Sequence, residues 1–372
     1  MAKRKVIVVK LGTSVLTAGS LYLNKPRLVD LARQCVELKK AGWHVVIVSS
    51  GAVAAGRSAL DKDVGNSVAE KQMLAAIGQG QLIHLWQSLF SLFDVPVAQL
   101  LLTRADVDDR SRYLNARDTL EQILAHDVVP IVNENDAVAT SEIKVGDNDN
   151  LSALVAILAN ADRLLLLTDQ AGLFTADPRN NPDARLIERV AEIDEQIIAL
   201  AGGSGTSLGT GGMATKLQAA QIAQRAGIET IIAKGEEPNV IINIQNDLTK
   251  STKVIRFDTP LGGRKKWILS GPRCSGAIIC DPGAVNAVIK NGASLLAKGV
   301  TDVCGQFSRG DLIELKDLNG KVIAKGIIVF DHKEMQSIKG LHSAQINDAL
   351  GYQGANVVMH RDDLVLLEYV AT

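Results

Sequence analysis

Polar side chains and glycines follow several short apolar runs of this sequence, at the points where buried strands would end. Lys10 is followed by Gly12-Thr-Ser14, and Ser50 is followed by Gly51. At such turns the backbone N–H groups of small residues approach an anion, and the positive end of a following helix favours its binding. A lysine that ends a strand is more often only solvated, but the residues that follow predict that Lys10 binds an anion.

A second glycine-rich segment, Gly209-Thr-Gly-Gly-Met-Ala-Thr-Lys216, precedes a stretch of helical period at Leu217–Ala226. Its N–H groups and its lysine would suit the binding of phosphate groups. The segment lacks the GxxxxGK[ST] spacing of a Walker loop, and Gly202-Gly-Ser-Gly205 does not match GxGxxG. A phosphate loop of another kind and a flexible surface loop are both open at this point.

Acidic and amide side chains form a third group of candidates. Asn133-Glu-Asn-Asp136 follows one apolar run, Thr168-Asp169-Gln170 follows another, and Asp147-Asn-Asp149-Asn150 precedes an apolar helical stretch. One residue of the last segment would suffice to cap that helix, so capping is an alternative for it. Three acidic or amide residues beside Gly146 exceed what a cap requires. The spacing of a calcium-binding EF-hand is missing.

The elements that carry these residues alternate between short runs rich in Val, Ile and Leu and longer segments of helical period, from residue 6 to about residue 245. This alternation predicts an α/β domain with a mainly parallel sheet sandwiched by helices. The predicted strands are Val6–Lys10, His44–Val48, Val95–Leu102, Val128–Val132, Arg163–Thr168 and Thr230–Ala233. The predicted helices are one that starts at Pro26, Val68–Leu92, Tyr113–His126, Asn150–Asn160 and Met213–Ala226. In open sheets of this kind, ligands bind beyond the carboxyl ends of the strands, where the polar residues lie.

The pattern changes after residue 250, where basic residues, Gly262-Gly263 and Pro272 occur together. We expect residues 1–255 to form the α/β domain, 256–274 a basic linker and 275–372 a small β-rich domain. Within the last, Asp317-Leu-Asn-Gly320 separates two apolar runs and predicts the turn of a hairpin.

Composition and charge exclude several classes of protein. Forty Lys and Arg against 41 Asp and Glu argue against a chain whose main task is to bind nucleic acid or an anionic membrane. No run reaches the roughly 20 apolar residues that span a bilayer. The basic N-terminus leads into Val6–Val9, which is too short for a signal peptide, and the four cysteines show no metal-binding or disulfide pattern. We therefore expect a cytoplasmic protein with reduced thiols.

Six segments in this order resemble the glutamate 5-kinases, a branch of the amino acid kinase family. They are Val9-Lys-Leu-Gly-Thr-Ser14, Ser49-Ser-Gly-Ala52, Asn133-Glu-Asn-Asp-Ala137, Gly146-Asp-Asn-Asp-Asn150, Leu167-Thr-Asp-Gln-Ala-Gly-Leu-Phe-Thr-Ala-Asp-Pro178 and Gly209-Thr-Gly-Gly-Met-Ala-Thr-Lys216. Towards the C-terminus, Gly292-Ala-Ser-Leu-Leu-Ala-Lys-Gly299 and Phe307-Ser-Arg-Gly-Asp311 resemble a PUA domain, a fold that elsewhere binds RNA. The resemblance covers nearly the whole chain.

The resemblance implies an ATP-dependent kinase of free glutamate that opens proline biosynthesis. It implies that Lys10 and Lys216 contact the transferring phosphoryl group and that Asp149 holds their ammonium groups in place. The residues that it assigns to ATP are Thr168, Asp169, Thr210, Gly211, Gly212, Met213, Ala214, Thr215 and Lys216. It places Mg²⁺ on the ATP phosphates, with no protein ligands to the metal.

The resemblance also implies that glutamate is bound by Ser50, Asp136 and Asn148. Proline, the end product, would inhibit at or near the same place, and the chain would form a dimer or tetramer. Because an acyl phosphate hydrolyses or cyclises readily, the product would be handed to glutamate-5-semialdehyde dehydrogenase. Asp136 would pair with a substrate ammonium, which N-acetylation removes.

The chemistry of the residues agrees with this expectation. A glutamate carboxylate has an unperturbed pKa of about 4.3 and is already an ionised nucleophile at neutral pH, so no catalytic base is required. The difficulty lies in bringing two anions together, which calls for alignment and for cations.

Two alternatives stay open from the sequence. Related kinases act on aspartate, N-acetylglutamate, carbamate, uridylate or isopentenyl phosphate, and the fold alone does not choose among these acceptors. The second alternative is an RNA-binding regulator that uses the kinase fold as a scaffold. Residues 275–372 hold nine Lys or Arg and eleven Asp or Glu, a net charge of −2, which argues against RNA as a partner.

Overall fold

A computed structural model describes residues 5–60, 65–138, 148–201, 212–257, 263–269, 274–352 and 355–367 of the chain. The chain divides into two compact units, Met1–Pro260 and Leu261–Thr372. Each unit contains its own sheet.

The larger unit is built on a mainly parallel sheet. Its strands are β1 (Lys5–Leu11), β2 (Trp43–Ser49), β3 (Val97–Leu102), β4 (Val129–Glu134), β5 (Arg163–Thr168), β6 (Arg189–Val190), β7 (Glu229–Lys234) and β8 (Ser251–Val254). They lie in the order β3-β4-β2-β1-β5-β7-β8-β6, and among the described pairs only β7 and β8 run antiparallel. The six predicted strands are present, and the predicted mainly parallel α/β sheet is confirmed. The sequence pattern did not indicate the short strands β6 and β8.

Helices connect these strands. They are α1 (Thr13–Thr17), α2 (Lys25–Lys40), α3 (Ala52–Leu60), α4 (Val68–Ser91), α5 (Arg104–Asp108), α6 (Arg110–Ala125), α7 (Asn148–Leu158), α8 (Glu195–Leu200), α9 (Met213–Arg225) and α10 (Val240–Gln245). Helix α4 begins with a capping box, in which Ser67 and Glu70 satisfy each other's backbone N–H groups. No helix in the described ranges is both long enough and apolar enough to cross a membrane.

Both faces of the sheet are covered. Alternate strand residues such as Ile7, Val9 and Leu11 pack in one core with α2, α4 and α10. The residues between them face the other way, where α7 contacts β1, β2, β4 and β5 and packs against α6 and α9. Because Lys10 alternates with Val9 and Leu11, it lies on the α7 side of the sheet. The two layers of helices confirm the predicted sandwich.

The smaller unit is a mixed, mainly antiparallel sheet with short helices. Its strands are β9 (Gly276–Cys280), β10 (Val300–Gly305), β11 (Leu312–Lys316), β12 (Val322–Ile327) and β13 (Leu364–Leu366), in the order β10-β9-β11-β12-β13. Its helices are α11 (Gly263–Leu269), α12 (Pro282–Asn291), α13 (His332–Ile338) and α14 (Ile346–Leu350), with 3-10 turns at Ala297–Gly299, Ser343–Gln345 and Arg361–Asp363. Strands β11 and β12 form the predicted hairpin around Asp317–Gly320.

The segment 256–274, expected from its charge to be a linker, contains helix α11. Trp267, Ile268 and Leu269 in this helix are buried, and α11 contacts β12 and β13 of the smaller unit. Basic residues dominated the sequence pattern, and the three apolar residues at the end of α11 carry the packing.

Candidate active site

A cleft of about 460 Å³ lies at the carboxyl ends of β1, β2, β4 and β5. The residues that line it include Lys10, Gly12, Ser50, Asn133, Asp136, Asn148, Thr168, Asp169 and Lys216. Strand β1 has β2 as its neighbour on one side and β5 on the other. The strands β2 and β4 continue the sheet in one direction, and β5 and β7 continue it in the opposite direction. The cleft therefore lies at a switch point of the topology. The structure therefore brings seven of the fourteen predicted site residues to the lining of one cleft.

Asp149 lies between two lysines beside this cleft. Its Oδ1 accepts a hydrogen bond from Lys10 Nζ at 2.6 Å, and its Oδ2 accepts one from Lys216 Nζ at 3.2 Å. The side chains of Lys10, Asp149 and Lys216 are 6%, 0% and 4% exposed. Strand β1 and the first turns of α7 and α9 supply the three residues, so elements far apart in sequence converge on one ion cluster.

The two lysines determine the ionisation of Asp149. Burial raises the pKa of Asp149, but the charges of Lys10 and Lys216 and the hydrogen bonds from Lys10 and Thr215 outweigh it and hold that pKa below its ordinary value. Asp149 is therefore ionised at neutral pH. Because Lys10 and Lys216 both line the cleft, their ammonium groups favour an anion there.

The first turn of α9 lies beside Asp149. It consists of the N-cap Gly212 followed by Met213, Ala214, Thr215 and Lys216. The Oγ1 of Thr215 lies 2.7 Å from Asp149 Oδ2 and 2.8 Å from the carbonyl oxygen of Gly212, so its single proton is shared between these two acceptors. Thr210 and Gly211, which were also predicted to bind ATP, lie outside the described residues.

Asn148 is held by its amide nitrogen. Its Nδ2 donates to Ser50 Oγ at 2.8 Å and to Asn133 Oδ1 at 3.1 Å, which uses both amide protons. Its Oδ1 is buried and has no hydrogen-bond partner among the described residues. Both Asn148 and Asp149 belong to the first turn of α7, whereas the sequence pattern placed them in the preceding loop. Asn148, which lines the cleft, thus keeps one buried acceptor that is unused among the described residues.

Asp136 provides a second unused acceptor. Its Oδ1 is buried and without a hydrogen-bond partner in the described part of the chain. Burial raises the pKa of Asp136 to about 6. A buried carboxylate oxygen without a donor is costly, so this residue and Asn148 favour a ligand with several N–H donors.

Thr168 and Asp169 line the cleft at the end of β5. Thr168 is buried, and its Oγ1 donates to Asp169 Oδ1 at 2.9 Å. Its carbonyl oxygen accepts a hydrogen bond from the N–H of Gly235 at 2.7 Å. The end of β5 is thus held against the turn that follows β7.

Sequence reasoning assigned no role to three residues that line the cleft, Asn133, Arg57 and Lys71. Asn133 stood in a segment already singled out, but the structure places it inside β4 and not after it. Arg57 lies on α3 and Lys71 on α4. Nothing in the sequence distinguishes these two basic residues from solvated ones on a helix. Both bring positive charge to the cleft.

Gly51 sets the turn between β2 and α3. Its φ of +104° lies in the region that favours glycine. A Cβ at this position would lie 3.2 Å from the side chains of Leu16 and Leu23. Gly51, whose position after a strand was linked to anion binding, is therefore also required by the backbone conformation.

Comparison with known proteins agrees with this architecture. Residues 5–234 match the model of the amino acid kinase family, and residues 276–350 match that of the PUA domain. The chain is 63% identical over 367 residues to Glutamate 5-kinase 2 of Pseudoalteromonas translucida (strain TAC 125), which covers 99% of this chain and 100% of that relative. It is 56% identical over 369 residues to Glutamate 5-kinase of Vibrio campbellii (strain ATCC BAA-1116), which covers 99% and 97%.

A solved structure shares the fold of the larger unit. Carbamate kinase from Giardia lamblia bound to AMP-PNP aligns with a TM-score of 0.51 and 18% identity, over 69% of this chain and 100% of that chain. At this identity the likeness shows the fold alone.

The fold and the family match define the chain as a kinase with the amino acid kinase architecture, joined to a PUA domain. Its identity to the relatives over nearly the whole length shows that it belongs to the glutamate 5-kinase family. The resemblance read from six sequence segments is confirmed.

Proposed function

We propose that this chain transfers the γ-phosphoryl group of ATP to the γ-carboxylate of free L-glutamate, forming L-glutamyl 5-phosphate and ADP in the first step of proline biosynthesis. The observation that carries the proposal is the buried bridge from Lys10 through Asp149 to Lys216, which holds two ammonium groups at the cleft. The names of the relatives at 63% and 56% identity support glutamate as the acceptor.

The amino-acid side of the cleft suits a zwitterion. Asp136 Oδ1 and Asn148 Oδ1 are buried acceptors without donors among the described residues, and an ammonium group offers three donors. Ser50 Oγ accepts from Asn148, which leaves its own proton to donate to a substrate carboxylate. Arg57 and Lys71 line the same cleft and supply positive charge for the α-carboxylate. The site thus offers complementary charge to both groups of an α-amino acid.

The reaction needs no proton transfer to begin. An ionised oxygen of the γ-carboxylate attacks the γ-phosphorus, a new C–O–P bond forms, and the bond from that phosphorus to the bridging β-oxygen breaks with its electron pair leaving on ADP. Charge spreads over the transferring oxygens, and Lys10 and Lys216 are positioned to neutralise it. Asp149 sets the positions of both lysines and does not itself bind the phosphoryl group.

The residues fit a magnesium ion that enters with the nucleotide. The described residues contain no group of three or more His, Cys, Asp or Glu side chains arranged to hold a metal. Both oxygens of Asp149 already accept hydrogen bonds from Lys10, Lys216 and Thr215. When bound, Mg²⁺ neutralises part of the phosphate charge. Thr168, Asp169 and the first turn of α9 would hold the nucleotide around it.

Proline is proposed to inhibit by occupying the amino-acid side of the cleft. Its secondary ammonium group and its carboxylate can meet Asp136, Asn148 and the basic residues, but it has no γ-carboxylate to phosphorylate. We expect inhibition that is competitive with glutamate and insensitive to ATP. Inhibition competitive with ATP instead would move proline to another site.

Assembly and hand-off complete the proposal. We propose a dimer or tetramer, and transfer of the labile acyl phosphate to glutamate-5-semialdehyde dehydrogenase. Hand-off predicts that a trapping nucleophile captures less intermediate when the dehydrogenase is present. Equal capture with and without that enzyme would contradict it.

The experiment that tests the reaction measures ADP release from Mg²⁺-ATP with glutamate, aspartate, N-acetylglutamate and uridylate, with hydroxylamine present to trap an acyl phosphate. We expect hydroxamate only with free glutamate. N-acetylglutamate in particular should give none, because N-acetylation removes the ammonium that Asp136 requires. Turnover with another acceptor alone would keep the mechanism and overturn the substrate. Turnover with none of them would contradict the proposed function.

A further inference from the structure

The amide of Asn133 connects the cleft to Gln79, a side chain that does not line it. Asn133 is 1% exposed, and its Oδ1 accepts hydrogen bonds from Asn148 Nδ2 at 3.1 Å and from the N–H of Glu134 at 2.9 Å. Its Nδ2 donates to Gln79 Oε1 at 2.8 Å. Gln79 lies on α4 and is not among the described residues that line the cleft.

This arrangement selects one orientation of the Asn133 amide. A 180° turn of the amide would point its NH₂ group at two other donors, the Asn148 NH₂ group and the Glu134 N–H. Gln79 supplies the acceptor that keeps the NH₂ group at the opposite end. With Asn133 fixed in this way, both protons of the Asn148 amide are used, and Asn148 Oδ1 stays an acceptor that has no protein donor among the described residues.

Gln79 is held in place by the close packing of α3 against α4. A Cβ at Gly78 would lie 1.9 Å from the carbonyl oxygen of Ala52, and one at Gly56 would lie 2.0 Å from that of Leu74. The two helices therefore meet backbone to backbone, and α3 begins directly after Gly51. The position of Gln79 is thus fixed relative to the turn that carries Ser50.

We propose that Gln79 is a positioning residue for the amino-acid half of the cleft, acting through Asn133 to hold Asn148 in the orientation that receives the substrate ammonium. The inference rests on the proposed function, because it concerns the same substrate. It predicts a role that is confined to the amino acid.

The test replaces Gln79 with Met, which keeps the length and removes the acceptor. We expect the KM for glutamate to rise about tenfold, as the loss of one buried hydrogen bond implies, with kcat and the KM for ATP changed by less than about threefold. Gln79→Glu keeps an acceptor and should restore the KM. The matched control is Gln81→Met on the exposed part of the same helix, which should leave all three constants unchanged.

A double-mutant cycle with Asn148→Ala tests the route of the effect. If Gln79 acts through Asn148, then Gln79→Met adds no further rise in KM once Asn148 is alanine. Additive effects would overturn the route, and an unchanged KM in Gln79→Met would overturn the role itself. Equal effects on kcat and on both KM values, without rescue by Gln79→Glu, would show a merely structural residue and also overturn it.

The wild-type enzyme separates this inference from the proposed function. Turnover with glutamate together with a normal Gln79→Met variant contradicts only the positioning role. If wild type acts on another amino acid of the panel, the KM for that acceptor replaces the KM for glutamate in the same cycle. If the wild-type enzyme turns over none of the amino acids, both the proposed function and the positioning role of Gln79 are contradicted.

Discussion

Asp149 Oδ1 lies 2.6 Å from Lys10 Nζ, although 139 residues separate the two in sequence. The bond joins the last part of β1 to the first turn of α7, on the same face of the sheet. Since Asp149 also accepts from Lys216, one carboxylate fixes the spacing of two ammonium groups that come from different elements. The contact between Asp149 and Lys10 therefore fixes charged groups from different elements of the larger unit in an arrangement suited to phosphoryl transfer.

Replacing either lysine should remove most of the activity. We expect Lys10→Ala or Lys216→Ala to lower kcat at least about a hundredfold, because loss of one contact to the developing charge costs about 3–4 kcal/mol. Steady-state kinetics with saturating glutamate and ATP measures the effect. Lys40→Ala, at an exposed lysine at the end of α2, is the matched control and should behave as wild type. A lysine variant within a few-fold of wild type would remove that residue from the mechanism.

Asp149→Asn should lower both kcat and the thermal midpoint at neutral pH, since it leaves two buried ammonium groups without their carboxylate. The folded-state pKa of Asp149 lies below its ordinary value of 3.8. Its contribution to stability is therefore present above about pH 4 and is lost as the pH falls through the lower folded value. The gap between the thermal midpoints of the two proteins, measured from pH 7 to 3, should narrow below about pH 4. A gap that stays constant over this range would show that the charge of Asp149 is not responsible.

Much of the fold could be predicted from the sequence, because parallel strands buried on both faces appear as continuous apolar runs. Arg163–Thr168 is correct to the residue, and other predicted strands shift by one or two residues. Strand β6 has two residues and β8 has four, and neither length leaves a readable period. The helix at Gly263–Leu269 was hidden by the basic residues around it.

The candidate site could be predicted only where it follows strands or glycines. Lys10 and Ser50 carry such signals in their neighbours. Arg57, Lys71 and Gln79 lie on helices whose periodicity gives no reason to single them out, and only the packing of α3 and α4 against the sheet brings them near the cleft. Nothing in the sequence around Gln79 indicates that its side chain contacts the amide of Asn133 on β4.

Asp136 should make glutamate binding depend on pH. Burial raises the pKa of Asp136 to about 6, so about one molecule in ten keeps the carboxylate ionised at pH 5, and the KM for glutamate should be about tenfold higher there than at pH 7 or above. The KM for ATP should not follow this profile. Asp136→Asn removes the titration, and its KM should be high and nearly flat between pH 5 and 8. A wild-type profile that is equally flat would contradict this reading of Asp136.

The raised pKa of Asp136 also predicts that Asp136→Asn stabilises the protein, whereas Asp149→Asn should destabilise it. A carboxyl group whose folded pKa is raised above its unfolded value stabilises the protein at low pH, and this contribution is lost as the pH rises through about 6. Without ligand, Asp136→Asn should therefore raise the thermal midpoint relative to wild type at pH 8 and raise it less at pH 5. Added glutamate should raise the midpoint of wild type and not that of the variant. A variant that is less stable than wild type at pH 8 would show that Asp136 has a partner that stabilises its charge.

Gly12 should matter for the space that it leaves beside Lys10. Its φ of −72° suits alanine, and an added Cβ would lie 3.5 Å from Lys10 Nζ, on the approach that a phosphate oxygen would use. We expect Gly12→Ala to lower kcat/KM for ATP about tenfold through misplacement of the phosphates, with the thermal midpoint unchanged. Gly80→Ala on α4, where an added Cβ meets nothing within 4 Å, is the matched control and should leave activity unchanged while it raises the midpoint slightly. If Gly12→Ala kept full activity, phosphate would have to approach Lys10 from another side, and the nucleotide would then lie away from the turn between β1 and α1.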